Sequence, residues 1–181
     1  RVWHRVAGER CVLFITPVNI EVPMKHIVGV SDMVVSAERG DSIITHALGS
    51  CIGIAIHDPG AGIGGVLHYM LPQSKVDQEK AKRNPFMFGD SGIPLLFKTA
   101  YEYGAKKDRL RVVIAGGAQV FHKRDFFDIG KRNIVIARKM FWKNNIMIAS
   151  ESVGGHFPRT LYLEIGSGAT WYTSHGKRVE L

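Results

Sequence analysis

Residues 51–71 read CIGIAIHDPGAGIGGVLHYML. The first half alternates, with Ile52, Ile54 and Ile56 on one side and Cys51, Gly53 and Ala55 on the other. A period of two belongs to a strand whose two faces meet different surroundings. Pro59, Gly60 and Gly62 mark a turn. GGVLHYML (64–71) then reads as the returning strand, stopped by Pro72. The stretch therefore predicts an antiparallel hairpin. A two-residue loop centred between Pro59 and Gly60 would set Cys51 directly opposite His68, side chains on one face and Cβ atoms about 4.5–5.5 Å apart.

Outward from the hairpin, the pattern is mixed. On the N-terminal side, MKHIVGVSDMVV (24–35) suggests a strand and its neighbour, and DSIIT (41–45) a short strand. On the C-terminal side, 73–90 is polar and basic, a loop or a frayed helix. SGIPLLFKTAYEYGA (91–105) has a Ser cap signal, helical spacing and a Gly104 stop. LRVVIAGGA (110–118) reads as a buried strand. The run 129–144 places Ile134, Ala137, Met140 and Phe141 on one helical face. IMIASES (146–152), RTLYLEI (159–165) and ATWYT (169–173) complete the strands. About seven strands and two or three helices in mixed order favour α+β over a doubly wound parallel sheet.

The chain has 181 residues, of which 45% are hydrophobic, enough for one domain with a core of its own. No apolar run approaches the ~18–20 residues that span a bilayer. Two cysteines rule out a disulfide-stapled scaffold and fit a reducing compartment. The formal charge of +8 predicts a preference for acidic partners. Residues 1–23 show no clean period, and CVLFI is too short for a secretory segment. The expectation is a domain over 24–181 opening at Met24, with 1–23 a non-native or disordered extension. Cys51 is then the one thiol of the domain.

A histidine beside a cysteine can take its proton, and the thiolate is a strong nucleophile. Gly49, Gly53, Gly64 and Gly65 around the pair would leave room for a substrate backbone. The plainer reading makes Cys51 a small buried hydrophobe and His68 a satisfied strand histidine. Geometry alone leaves both readings standing. A zinc site needs three or four ligands, and His46, His57 and Asp58 show no recognised spacing with the pair, so no metal is expected.

ITHALGSCIGIAIHD followed by GIGGVLHYMLP resembles the signature of the CheD family, the chemoreceptor glutamine deamidases of bacterial chemotaxis. Gly-Gly-Ala at 116–118, Ile129-Gly130 with Asn133, and Glu151, Gly154-Gly155 and Arg159 extend the resemblance over about residues 24–175. It implies a three-layer α/β/β arrangement, with two packed, mainly antiparallel sheets and helices 91–105 and 130–144 on one side. It implies Cys51 as nucleophile, His68 as general base and acid, and Thr45 as the residue that orients His68. Ser50, Gly49 and Gly65 are the expected oxyanion or substrate-cleft positions. The implied reaction is hydrolysis of glutamine side chains, without a cofactor, with glutamyl methyl ester cleavage as a side activity. The implied partners are the cytoplasmic helical region of methyl-accepting chemotaxis receptors and a CheC-type phosphatase. A cytoplasmic monomer that neither inserts in membranes nor binds nucleic acid is expected. The competing nucleic-acid reading rests on surface Lys and Arg interleaved with Phe86, Phe88, Phe126 and Phe127, and no recognised motif accompanies it.

Overall fold

The alternating stretch forms two strands, β4 (Ile52–Asp58) and β5 (Ile63–Tyr69), every residue of which is buried. Burial on both faces requires a layer on each side of the sheet that contains them. The computed structural model describes residues 22–119 and 128–181. The expected extension, up to residue 21, lies outside the described residues, as do Phe126 and Phe127.

The other strands are β1 (Lys25–Val28), β2 (Asp32–Ser36), β3 (Ser42–Leu48), β6 (Arg111–Gly116), β7 (Ile148–Val153), β8 (Arg159–Glu164), β9 (Thr170–Ser174) and β10 (Lys177–Glu180). The helices are α1 (Gln78–Arg83), α2 (Gly89–Glu102) and α3 (Ile129–Lys143). The described residues thus hold ten strands: the stretches read as strands above, summed there as about seven, are nine, β1 to β9, and β10 is the addition. The segment 73–90, ambiguous in sequence, forms α1 between two 3₁₀ turns. Helix α2 begins at Gly89, ahead of the expected Ser91 cap, and the Ser91 hydroxyl instead donates to Pro85 O at 2.6 Å.

Two five-stranded sheets result, in the orders β1-β3-β8-β9-β10 and β2-β5-β4-β6-β7. Pairing is antiparallel except between β1 and β3 and between β6 and β7. Ile52, Ile54 and Ile56 face the helices, meeting Ile93, Leu96, Phe97, Ile136 and Phe141. Ala55 faces the other way, into a second core with Val66, Val113, Leu161 and Leu163 between the sheets. The order of layers is helices, second sheet, first sheet, as the resemblance implies. Each fully buried aliphatic side chain in these cores contributes roughly 1.5–3 kcal/mol.

The hairpin register differs from the expected one. Gly53, not Cys51, pairs with His68, and Asp58 pairs with Ile63. The loop therefore holds four residues, 59–62, rather than two. Asp58 is the reason: its Oδ1 accepts from Gly60 N at 2.9 Å and Ala61 N at 3.1 Å, while its backbone carbonyl accepts from Gly62 N at 2.9 Å. Gly62 sits at φ +67, where glycine is at home. The other Asp58 oxygen takes Lys106 N and the Arg109 guanidinium. A shift of two residues preserves every side chain's face, because the strand period is two. Cys51, just ahead of β4, packs against the inter-sheet core, the side on which His68 meets Thr45.

The glycines also need a correction. A Cβ on Gly53 would lie 2.8 Å from Leu48 Cδ1, and one on Gly64 2.7 Å from Ile165 Cδ1. Their missing side chains let the two sheets approach, and the space is filled by protein rather than left for substrate.

Candidate active site

Between Leu48 and Ile52 the chain leaves the first sheet and enters the second. Cys51 lies on this three-residue connection and is half-buried. The connection is held by its carbonyls. Gly49 O accepts from Ala118 N at 2.7 Å, Ser50 O from Asn133 Nδ2 at 2.9 Å, and Cys51 O from Gly117 N at 2.8 Å. Gly116 lies directly against it at φ +109, where a Cβ would come within 2.2 Å of Cys51 O. Asn133, buried on α3, donates also to Met70 O at 2.9 Å, so one amide fixes both the Cys51 connection and the end of β5. The sequence offers Asn133 as part of a resemblance but gives no sign of this grip, which spans 83 residues to Ser50.

His68 extends from β5 toward the first sheet and meets Thr45 of β3. Thr45 Oγ1 stands 2.7 Å from His68 Nδ1 and donates to Val28 O at 2.9 Å. A hydroxyl has one proton. With that proton on Val28 O, Thr45 must accept from an Nδ1–H, so Nε2 carries the free lone pair. Nε2 is buried and has no hydrogen-bond partner among the described residues. A buried polar atom without a partner is costly, and functional sites are where such atoms concentrate.

Burial pushes His68 down to about 4, although the Asp32 carboxylate pulls it upward. Burial pushes the Cys51 thiol up. At neutral pH both groups are uncharged, and the proton must move as a reaction proceeds. The Cys51 backbone N–H pulls its own thiol the other way, by less than burial does.

The structure therefore brings Cys51, His68 and Thr45 to the seam between the sheets, with Ser50 and Gly49 on the same connection. Gly65 is elsewhere. It is on the opposite face of β5, where a Cβ would meet Val35 Cγ2 at 2.8 Å and Leu96 Cδ1 at 3.0 Å, so it belongs to the packing under α2. On the helix side of the second sheet, α3 and the 72–76 segment enclose a separate cleft of about 660 Å³ whose lining includes Lys75, Lys131, Arg132 and Lys139 together with Asp128.

A family model described as CheD chemotactic sensory transduction matches residues 70–174. The chain is 52% identical over 150 residues to the probable chemoreceptor glutamine deamidase CheD 1 of Syntrophus aciditrophicus, covering 83% of this chain and 94% of that one. The chain belongs to the CheD family. A second CheD, the probable chemoreceptor glutamine deamidase of Solibacter usitatus, is 49% identical over 155 residues, covering 86% of this chain and 92% of that one. The corresponding CheD of Pyrococcus abyssi is 38% identical over 144 residues, with 78% and 86% covered. The match to the CheD model begins at Met70, just past His68. No helix among the described residues of this CheD chain is long and apolar enough to cross a membrane.

Proposed function

We propose that this chain hydrolyses glutamine side chains of chemotaxis receptors to glutamate, with Cys51, His68 and Thr45 as its catalytic group. The observation that carries the reading is the buried Nε2 of His68, unpartnered among the described residues, whose other nitrogen is tied to Thr45 at the inter-sheet core against which Cys51 packs. That is an imidazole locked in the tautomer a general base requires.

In the first half-reaction Nε2 takes the thiol proton as the sulfur attacks the amide carbon. The oxygen of the tetrahedral species carries the developing negative charge. The Cys51 N–H is the first donor to it, and the Ser50 N–H the second. Gly49 is the weaker candidate, because its N–H already donates to Ala47 O at 2.8 Å. The imidazolium then protonates the leaving nitrogen, the C–N bond breaks, and ammonia departs, leaving a thioester. In the second half-reaction Nε2 takes a proton from water, the hydroxide adds, the C–S bond breaks, and the proton returns to sulfur. The net change is one amide and one water to one acid and one ammonia. A neutral orienter suits this chemistry, since a thiol is more acidic than an alcohol and needs less help.

The mainly basic cleft along α3, on the helix side of the second sheet, suits an acidic helical substrate. The same thioester would form from a glutamyl methyl ester, with methanol leaving, and a CheC-type phosphatase is the second partner in this reading. The test is mass spectrometry of a receptor signalling fragment incubated with wild type and with Cys51→Ala. The expected result is a gain of about one dalton at particular glutamines, NH2 exchanged for OH through the covalent intermediate, with wild type alone. An unchanged fragment, or equal conversion by the variant, overturns the reading.

A further inference from the structure

Serine hydrolases that rely on a histidine commonly place a carboxylate behind it, to stabilise the imidazolium that forms during reaction, and cysteine hydrolases place either a carboxylate or a neutral amide there. Here the group behind His68 is a threonine, which carries no charge. The hydrogen bonds do not stop at Thr45, however. Its hydroxyl donates to Val28 O at 2.9 Å. The same peptide unit continues to Gly29, whose N–H donates to Asp32 Oδ2, a long contact of 3.4 Å. Asp32 Oδ1 is held by Met33 N at 2.7 Å, which fixes the carboxylate in the β1–β2 turn. Asp32 is also the direct cross-strand partner of His68, in the register that joins β2 to β5. Directly paired residues of adjacent strands share a face. The carboxylate is therefore linked to the imidazole by a chain of bonds and also placed alongside it.

We propose that Asp32 is the remote carboxylate of this site, a positioning residue that acts on His68 through the Val28–Gly29 peptide and Thr45. The direction of each bond fits. The carboxylate accepts from the peptide N–H, the peptide carbonyl accepts from the Thr45 hydroxyl, and the hydroxyl oxygen accepts from Nδ1–H. Each acceptor made more negative strengthens the next bond, so the anion's influence reaches the ring. Among the elements packed around His68, β3 contributes Thr45, β4 contributes Gly53, the 49–51 connection contributes Cys51, and β2 contributes the charge. The upward pull of Asp32 on the His68 proton affinity has the same sign. The geometry explains how a neutral threonine can serve where a charged orienter is the common choice: the charge sits one peptide further back. No bond is made or broken at Asp32, and no proton leaves Thr45.

The inference rests on the reading of Cys51 and His68 as the nucleophile and its base, and the experiment separates the two. Alkylation of Cys51 by iodoacetamide in the full chain needs the thiolate and no receptor substrate. Asp32→Asn keeps an oxygen for Met33 N–H and removes the charge. It is expected to slow alkylation at pH 7 by about tenfold, the effect of about one pK unit at the base. Asp32→Glu, which keeps the charge, is expected to recover most of the rate. In a His68→Ala background Asp32→Asn is expected to change nothing, because the route to the thiol is gone. With receptor fragment, the Asn variant should show a lower kcat at unchanged KM. Asp32→Ser, whose hydroxyl can still accept from Met33 N–H, provides a second neutral variant should Asn fail to fold. A folded neutral variant with wild-type alkylation overturns the proposal, as does an equal loss in the His68→Ala background. An alkylation pattern as expected, but no deamidation by wild type, would overturn the assigned substrate and leave the role of Asp32 intact.

Discussion

Thr45 Oγ1 and His68 Nδ1 are 2.7 Å apart, and they belong to different sheets. The bond crosses a core otherwise made of Val28, Ile43, Leu48, Val66, Leu161 and Leu163. Both residues are buried, so the bond is shielded from water, and breaking it leaves a polar atom stranded.

Thr45→Val keeps the shape and removes the acceptor. The stranded Nδ1–H is expected to cost about 1–3 kcal/mol of stability, read from denaturant midpoints. Deamidation should fall by about one to two orders of magnitude, as for loss of a general base's alignment. Thr45→Ala should likewise be milder than either loss described next.

Cys51→Ser should lose nearly all activity, since a serine hydroxyl is much less acidic than a thiol and the catalytic group itself has no carboxylate. His68→Ala should lose as much, because base and acid vanish together. Steady-state ammonia release from a receptor fragment checks both. A serine variant with substantial turnover would contradict the thiol mechanism.

The pH dependence follows from the low proton affinity of buried His68. Its value of about 4 lies below the ordinary 6.5. Between these values the unfolded chain binds the proton and the folded chain does not. Stability is therefore full above about pH 6.5 and declines as pH falls toward 4, by about 3 kcal/mol in total. Asp58, held well below the usual carboxylate range by Arg109, adds a further loss below about pH 4. Urea midpoints across pH 4–7 should slope in wild type and be flatter in His68→Asn. The acid limb of kcat/KM should likewise lie nearer 4 than 6.5.

Asn133→Ala removes the amide that grips Ser50 O and Met70 O. The expected outcome is a loss of about 2–4 kcal/mol for two buried bonds and a larger fall in kcat than in substrate affinity. Asn133→Asp should be worse for stability, because a buried carboxylate would face two carbonyl oxygens. Thermal melts and kinetics on both variants check this.

The sequence revealed the layers better than the register. Alternation over 52–58 put Ile54 and Ala55 on opposite faces, because the faces of a strand follow from its period alone, but it did not show that both faces would be buried, one under the helices and one between the sheets. The pairing of Cys51 with His68 failed, because loop length depends on what Asp58 bonds, and its partners Lys106 and Arg109 are far along the chain. The parity of the shift saved the shared face. Strand β10 was missed, since Lys177–Glu180 is exposed throughout and carries no alternating burial. Its identity comes from pairing with β9. Thr45 was legible by resemblance, whereas Asp32 and the hold of Asn133 on the 49–51 connection depend on contacts between distant segments.

The connection at Cys51 passes from one sheet to the other, and this ties catalysis to the integrity of the whole interior. In the proposed mechanism neither sheet alone contains a working site: the first sheet carries Thr45 as orienter, the second His68 as base, and Cys51 as nucleophile stands on the connection between them. A substitution that wedges the layers apart, such as Gly53→Val beneath Leu48, would silence the enzyme while leaving each sheet's own hydrogen bonds intact. Thiol reactivity in this molecule is then a gauge of sandwich closure, and a ligand that pries the seam would act as an inhibitor without touching any reacting atom.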